Sequence, residues 1–586
     1  MRQWMVAAKK ADFYAIAEKF HVDPVVARII RNREVIGEKN IRIYLGGNLS
    51  DLSDPHQMKD MDRLVEILAQ KIRKQVHIRI IGDYDVDGVT SSHLFLTALR
   101  RVGAKVDVVI PHRIQDGYGL SLHLLQQAKE DGVDTILTCD NGIAAIDEIA
   151  WAKAQKMTVL VTDHHAVPFE EHEGRRTEKK SLADAVVNPH QQDCRYPYKE
   201  LCGAGVAWNV IRVLYENYDM DKREAEDLLD FVAMATVCDV MSLTGENRIL
   251  VKEGLKRIRH TKNIGLQALM QACNVQPENI SAYHFGYVLG PCVNATGRLD
   301  TARHALRLFE TGQETEAEEI ARDLVDLNQE RKELTLQGVE MAKKLCEEGG
   351  YENDPVLVLF LPDVHESIAG LIAGRIREMY NRPVFVLTRG EEGVKGSGRS
   401  TENYSMYENM CGCAELFTKF GGHPMAAGLS LPEENVEKFR RKINENCPLT
   451  VEEVCPDIHI DMAMPVGYAS TELIHQFALL EPFGKDNPSP LFADRNLSIS
   501  RMWLIGKNRN VLRMSVLSEY GQPVPVIFFG DVETLFAYFT EKFGQKEVEN
   551  ALHGRKNRIL FSMVYTAKID FYQGNENLQL EMKYYR

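Results

Sequence analysis

Aspartates and histidines close several apolar segments in the first half of the chain. Asp83, Asp85 and Asp87 follow the apolar run in VHIRIIGDYDVDG; Asp140 ends DTILTCD ahead of Asn141 and Gly142; Asp163, His164 and His165 end MTVLVTDHH; Asp239 ends FVAMATVCD. Three carboxylates packed into five residues repel one another, so the stretch needs a cation or a strong hydrogen-bond network. By itself it is also what a solvated acidic turn looks like. Oxygen and imidazole donors without cysteine suit Mn²⁺ or Mg²⁺, and this many carboxylates suggests two ions sharing a bridging Asp. Two such ions activate a water and hold the leaving oxygen when a phosphoester is hydrolysed. Neighbouring side chains diverge, so His164 and His165 read as one ligand and one group facing the substrate, against the plainer reading of two loop histidines. Asp239 taken alone reads as a helix-terminal or capping carboxylate.

The elements that must position these groups are written in the hydrophobic periodicity. Apolar strands over 76–83, 104–111, 134–140 and 157–163 alternate with helices over 90–102, 121–131 and 144–156, which predicts βαβ units and a mostly parallel sheet covered on both faces. Ligands of such sheets collect at the carboxyl ends of the strands, where three of these segments carry their acidic or imidazole groups. Two-residue spacing would let Asp83, Asp85 and Asp87 point the same way while the backbone stays extended, before Gly88 turns the chain. Between Gln313 and Cys346 the apolar residues keep a helical period; some 30 residues would reach about 45 Å, enough to join two lobes. A new α/β pattern follows in DPVLVLFLP, HESIAGLIAGRIREMYNRPVFVL, GVKGSGRS and GGHPMAAGLSL. There the glycines let backbone amides approach a phosphate, and Arg399 and His423 supply charge and a titratable donor. From about Pro456 short alternating strands with Gly, Asn and Pro punctuation predict a small all-β barrel. Lys507, Arg509 and Arg513 with Trp503 and Phe528 are candidates there for a strand-binding face.

A chain of 586 residues is too long for one core and predicts three to four domains. Hydrophobic content of 44% and charged content of 26% are ordinary for a soluble globular protein. No apolar run is long enough for a membrane span and MRQWMVAAKK lacks a secretory core, so a cytoplasmic protein without membrane contact is expected. Eleven cysteines without a CxxC pair fit reduced thiols. The net charge of −14 means that a polyanionic partner would be held in a local basic groove or through metal ions.

In combination, DYDVDG, DNG at 140–142, DHH at 163–165 and the Asp of VCDVMSL resemble the four motifs of the DHH phosphoesterase superfamily. Within it, PHRIQDGYGLS, VVNPHQ, CGAGVAW, CVNATGRLD and LNQERKEL resemble the RecJ exonucleases, over nearly the whole chain from about Asp51. GGHPMAAG resembles the signature of a DHHA1 domain, and EPFGKDNPSPLF the entry to an OB domain. The chain departs from the family pattern at Val364-His365, where a Trp usually precedes the His, at Ser367 and in GSGRS.

The resemblance implies two α/β lobes joined by a long helix and followed by an all-β OB-fold barrel. The segments would be a helical stretch over 1–50, a DHH domain over 51–312, the connecting helix over 313–350, a DHHA1 domain over 351–454 and the OB domain over 455–586. It implies a metal-dependent exonuclease, monomeric, that shortens single-stranded DNA from the 5′ end in repair and recombination, with a single-strand-binding protein and a helicase as candidate partners. Asp85, Asp87, Asp140, His164 and Asp239 would hold two ions, Mn²⁺ or Mg²⁺, and Asp83 would ligate or support them. His165 would contact the scissile phosphate, and Arg298 would neutralise charge building on it. Arg113, Ser397 and Arg399 would receive a terminal phosphate, with Tyr118, Asn294 and His423 as further nucleic-acid contacts. A nano-RNase or cyclic-dinucleotide phosphodiesterase of the same superfamily would not need the β-domain, and an inactive replication scaffold would have lost metal ligands. The insertion FEEHEGRRTEKK at 169–180 is expected to lengthen a surface loop.

Overall fold

In the computed structural model the described residues are 3–113, 116, 119–172, 175–390, 393–506, 510–572 and 574–586. They form two compact units; one comprises Asp51–Met241 and Glu246–Pro456, the other Gln3–Ser50, Ser242–Gly245 and Asp457–Arg586.

The first unit opens with the parallel sheet. Strands β1 (His77–Ile81), β2 (Lys105–Val109), β3 (Thr135–Cys139), β4 (Thr158–Thr162) and β5 (Ala185–Val187) pair in the order β2-β1-β3-β4-β5, every pair parallel. Ile80, Ile81, Ile136, Leu137, Val159 and Val161 are all buried, as strands covered on both faces require. Helix α1 (Val86–Arg101) leaves β1 through a turn so close that a Cβ on Gly82 would fall 2.0 Å from Ser92 Oγ. Here the structure differs from the expected extended DYDVD. Strand β1 stops at Ile81, Asp85 is the helix N-cap with its side chain accepting from Gly88 N at 3.0 Å, and Asp87 already lies in the first turn. An Asp just ahead of an apolar helix caps it in preference to extending the strand. The 169–180 insertion is a hairpin, Phe169–His172 pairing with Arg175–Glu178.

Helices α2 (Gly203–Asn217), α3 (Leu229–Cys238) and α4 (Gly290–Leu299) complete the first lobe. Helix α5 (Glu314–Glu348) then runs for 35 residues, roughly 50 Å. It ends in the core of the second lobe, where Val339, Ala342 and Cys346 pack with Ile368, Ile372 and Ile376 of α6 (Glu366–Tyr380). That lobe is a mixed sheet of β6 (Leu357–Phe360), β7 (Val384–Gly390), β8 (Gly393–Arg399), β9 (Lys419–His423) and β10 (Ala426–Leu431), ordered β9-β10-β8-β7-β6, with only β6 and β7 parallel.

In the other unit, β11 (Met462–Ala463), β12 (Phe492–Ile505), β13 (Val511–Leu517), β14 (Pro523–Phe528), β15 (Leu560–Tyr572) and β16 (Asn575–Tyr585) pair in the order β11-β12-β13-β14-β16-β15. β12 also pairs β15, which closes a barrel, and irregular register at Asp494/Leu497 and Ile499/Arg501 bends this long strand between its two neighbours. Two helices, Val532–Phe543 and Gln545–Leu552, stand between β14 and β15. The N-terminal helices Phe13–Phe20, Pro24–Asn32 and Glu38–Gly46 belong to the same body: Val26, Ile30 and Tyr44 share a core with Phe492, Met514 and Tyr565. Strand Trp4–Val6 pairs parallel with Ile458–Ile460. Arg33 makes a buried two-pronged contact with Asp461, at 2.7 and 3.1 Å.

Candidate metal centre

Each acidic strand end is shaped by its own local chemistry. Asp87 is held by the N-terminus of α2, its carboxylate accepting from Gly203 N at 2.5 Å and Ala204 N at 2.7 Å; free amides and the positive helix end favour an anion there. Gly203 is required by space, since a Cβ would fall 2.6 Å from Cβ of Asp140. Asp140 takes a left-handed backbone, φ 61°, which Asp tolerates better than most residues. Beside it Asn141 Nδ2 donates to the carbonyls of Ile81 and Cys139, tying the ends of β1 and β3. Asp163 is an organiser: its carboxylate accepts from the amides of Ile143, His164 and His165 and from His165 Nδ1 at 2.8 Å. Asp239 closes α3, where the negative end of the helix dipole makes a carboxylate unfavourable as a mere cap.

These elements bring the predicted ligands together. His164 Nε2 stands 3.0 Å from Asp140, 3.6 Å from Asp239 and 3.7 Å from Asp87. Three overlapping sets, Asp83/Asp85/Asp140, Asp87/His164/Asp239 and Asp140/His164/His165, each keep their donor atoms within 4.8 Å of one another. Asp83 Oδ1, Asp140 Oδ1 and His164 Nε2 are buried without a hydrogen-bond partner, an arrangement that costs stability unless something else satisfies it. Burial and then Asp85 push the Asp83 carboxyl well up, and burial followed by Asp87, Asp85 and Asp83 does the same for Asp140. Burial holds His164 below its ordinary value and thus in the neutral ligating form. At His165 burial also disfavours charge, but the Asp163 hydrogen bond and the surrounding carboxylates override it and raise the ring to about 9. The neighbouring thiols Cys139, Cys202 and Cys238 are pushed up by burial and by these carboxylates, so they stay protonated and leave the donor set to oxygen and imidazole. That set fits hard divalent cations, and it holds too many carboxylates for one.

On the side facing the second lobe the charge is reversed. Arg298 Nη1 donates to the Ser367 carbonyl at 2.6 Å, and burial followed by Arg113, Arg331 and Arg399 lowers its guanidinium to about 10. Arg399 is lowered by burial and then by Arg113 and Arg377. Arg113 lies over the Tyr84 ring at 5.0 Å. Guanidiniums crowded this way are stabilised by an anion. Tyr84, Arg113, Ser367, Lys395, Ser397 and Lys419 border a cavity of about 780 Å³ between the lobes, and Arg113, Arg298 and His365 border a second of about 350 Å³. A cavity of about 810 Å³ floored by His93, Phe231 and Phe309 holds none of these residues.

Asn294 Oδ1 accepts from Val86 N at 3.1 Å and so fixes the start of α1. His423 is exposed at the end of β9, outside the lining of both cavities. Tyr118, Lys507 and Arg509 lie outside the described residues. Trp503 stands between Arg501 and Arg513, at 5.7 and 5.9 Å, but Phe528 points into the barrel core and cannot join a surface with them. Asp163, Asn141 and Gly203 were readable only as members of short motifs, because their roles are made by backbone amides and close approach.

Two lobes with carboxylates and imidazoles at the ends of a parallel sheet define the DHH class: residues 77–236 match the model of the DHH family, N-terminal domain, and 353–447 that of the DHHA1 domain. Residues 460–584 match the RecJ OB domain. The single-stranded-DNA-specific exonuclease RecJ of Haemophilus influenzae is 32% identical over 96% of each chain. Its Bacillus subtilis namesake is 33% identical over 87% of this chain, which spans 63% of that longer protein. The chain therefore belongs to the RecJ family. Its fold is similar to RecJ of Thermus thermophilus in complex with Mn²⁺, with TM-score 0.81, 25% identity and coverage of 100% of this chain and 79% of that one. Exonuclease RecJ bound to manganese is 32% identical over 66% of this chain and 94% of its own, with TM-score 0.57.

Proposed function

We propose that the protein is a single-stranded-DNA-specific exonuclease that removes nucleotides from the 5′ end with the help of two divalent cations, Mn²⁺ or Mg²⁺. The observation that carries this reading is the convergence of the three donor sets, with buried donor atoms that lack a hydrogen bond, at the carboxyl ends of the sheet. Asp85, Asp87, Asp140, His164 and Asp239 would hold the ions, and Asp83 would ligate or support them. Bound there, the ions would activate water and stabilise the leaving oxygen. The chain's own groups do the rest. Asp163 aims and charges His165, which faces the scissile phosphate, and Arg298 opposes the charge that builds on it. Arg113, Ser397 and Arg399 form a terminal-phosphate pocket that a continuing chain would not fit, which sets the polarity. A phosphodiesterase restricted to dinucleotides would have no use for the barrel unit. Among the described residues no helix is long and apolar enough to cross a membrane, and the reading extends to a monomer acting in the cytoplasm beside a single-strand-binding protein and a helicase.

The test is to incubate 5′- and 3′-labelled single- and double-stranded oligonucleotides with Mn²⁺ or Mg²⁺. Release of the 5′ label first, from single strands alone, is expected. Arg399→Ala should slow attack on 5′-phosphorylated strands by about tenfold or more relative to 5′-hydroxyl strands, as loss of a charge-assisted contact implies. Digestion from the 3′ end, or equal slowing of both substrates, would refute the placement of the pocket.

A further inference from the structure

A strand whose 5′ end lies at the ions must be held where it leaves them, and the last turn of α3 carries a surface suited to that. The segment packed behind this turn is a π-helix, Phe285–Leu289, a rare form that is frequent at functional sites. Cys238 Sγ donates to the Phe285 carbonyl at 3.3 Å. A Cβ on Gly290 would fall 2.3 Å from that sulfur, and one on Gly286 3.4 Å from Val237. The segment is thus pressed against the turn that ends in Asp239. Tyr287 points outward from this segment and Tyr283 from the helical turn just before it, Ala282–His284; they are 70% and 62% exposed, their rings stacked with centroids 5.1 Å apart and planes 24° apart. Val240, next to Asp239, is 62% exposed with φ 54°, a strained setting for a β-branched residue. Among the described residues the other stacked ring pair, Phe477 with Phe492, is buried in the barrel unit.

We propose that Tyr283 and Tyr287 form a stacking platform for the bases that follow the scissile phosphate on its 3′ side, with Val240 supplying apolar contact beside Asp239. The inference rests on the reading of this protein as a single-strand exonuclease and adds to it where the strand runs. Open tyrosine faces suit this occupant because every base has a π-face, so stacking on them tolerates any sequence, as an exonuclease must. The segment that carries the platform is bonded to the helical turn that ends in a metal-ligand candidate, Asp239, which keeps it in continuity with the cleavage site.

The experiment measures KM and kcat on 5′-phosphorylated oligonucleotides of two, six and twelve nucleotides for the parent, the Tyr283→Ala/Tyr287→Ala double variant and the corresponding double Phe variant. The Ala variant should raise KM on the twelve-mer by about tenfold, more than on the dinucleotide, and the Phe variant should restore it. Abasic sites behind the first two nucleotides should cost the parent a similar factor and the Ala variant almost nothing more. Unchanged KM in a folded Ala variant, or a penalty that persists undiminished on the abasic strand, would overturn the platform; should that variant not fold, a parent indifferent to the abasic sites would do the same. If the parent leaves single strands intact, the exonuclease reading fails; if it digests them and only the length dependence is missing, the platform alone fails.

Discussion

At the scale of residues, Asp140 concentrates the physics of the site. It is buried, shared between two donor sets, and pushed up by burial and by four neighbouring aspartates, Asp87, Asp85, Asp83 and Asp239. A carboxyl whose folded pKa is raised stabilises the metal-free fold fully below its ordinary 3.8 and loses that contribution as pH rises through the higher folded value. Metal-free protein should therefore melt at lower temperature as pH climbs from about 4 towards neutrality, and Asp140→Asn should flatten that slope. Added Mn²⁺ should raise the melting temperature of the parent at neutral pH and do much less for the variant. The same substitution should cost about a thousandfold in kcat, since a displaced cation forfeits several kcal/mol of charge stabilisation. Calorimetry and single-turnover kinetics check these outcomes; a variant with parental slope and parental turnover would remove Asp140 from the centre. The candidate donors that the fold brings together were legible because Asp and His at successive strand ends have few structural uses. Their geometry was less so. Asp163 stood in the same motif as the ligands, and only the amides aimed at it separate an organiser from a donor.

At the scale of elements, the centre is a meeting of ends: the carboxyl ends of β1, β3 and β4, the amino ends of α1 and α2, and the carboxyl end of α3. The hydrophobic period revealed the first four strands and the helices between them, because both-faces-buried strands leave a plain apolar run; it missed the short fifth strand and helix α2. It misplaced the start of α1, since capping by Asp85 is a local competition between turn and strand that periodicity does not register. CGAGVAW was legible only as a short motif; it opens helix α2, whose lack of a side chain at Gly203 answers a contact with Asp140 from 63 residues earlier in the chain. Gly203→Ala should leave the protein folded while pushing Asp140 aside and loosening the amides on Asp87. A loss of about 10–100-fold in metal affinity is expected, as for other supports of metal ligands, with titration of Mn²⁺ by electron paramagnetic resonance as the measurement. Parental affinity would show that the helix end yields more easily than the close contact implies.

At the scale of the whole molecule, the chain's two ends build one unit and its middle builds the other. This was not legible: residues 1–50 show amphipathic helices but nothing that names their partner, and Arg33 meets Asp461 across 428 residues of sequence. Deleting the barrel alone would strip Val26, Ile30 and Tyr44 of their core, so the informative truncation keeps residues 51–456. That chain should still cleave very short oligonucleotides but bind long strands more weakly and with a shallower dependence on salt, because fewer phosphates are contacted. Affinities measured from 50 to 200 mM salt on strands of increasing length decide it; equal slopes would make the barrel unit a structural appendage. The split order of the chain also sets a timetable. Residues 3–50 emerge from the ribosome long before the strands that bury their apolar face. At about 5–20 residues per second they wait roughly half a minute to two minutes, while the continuous middle unit can fold between them; for that interval the N-terminal helices keep an apolar side uncovered and open to other chains.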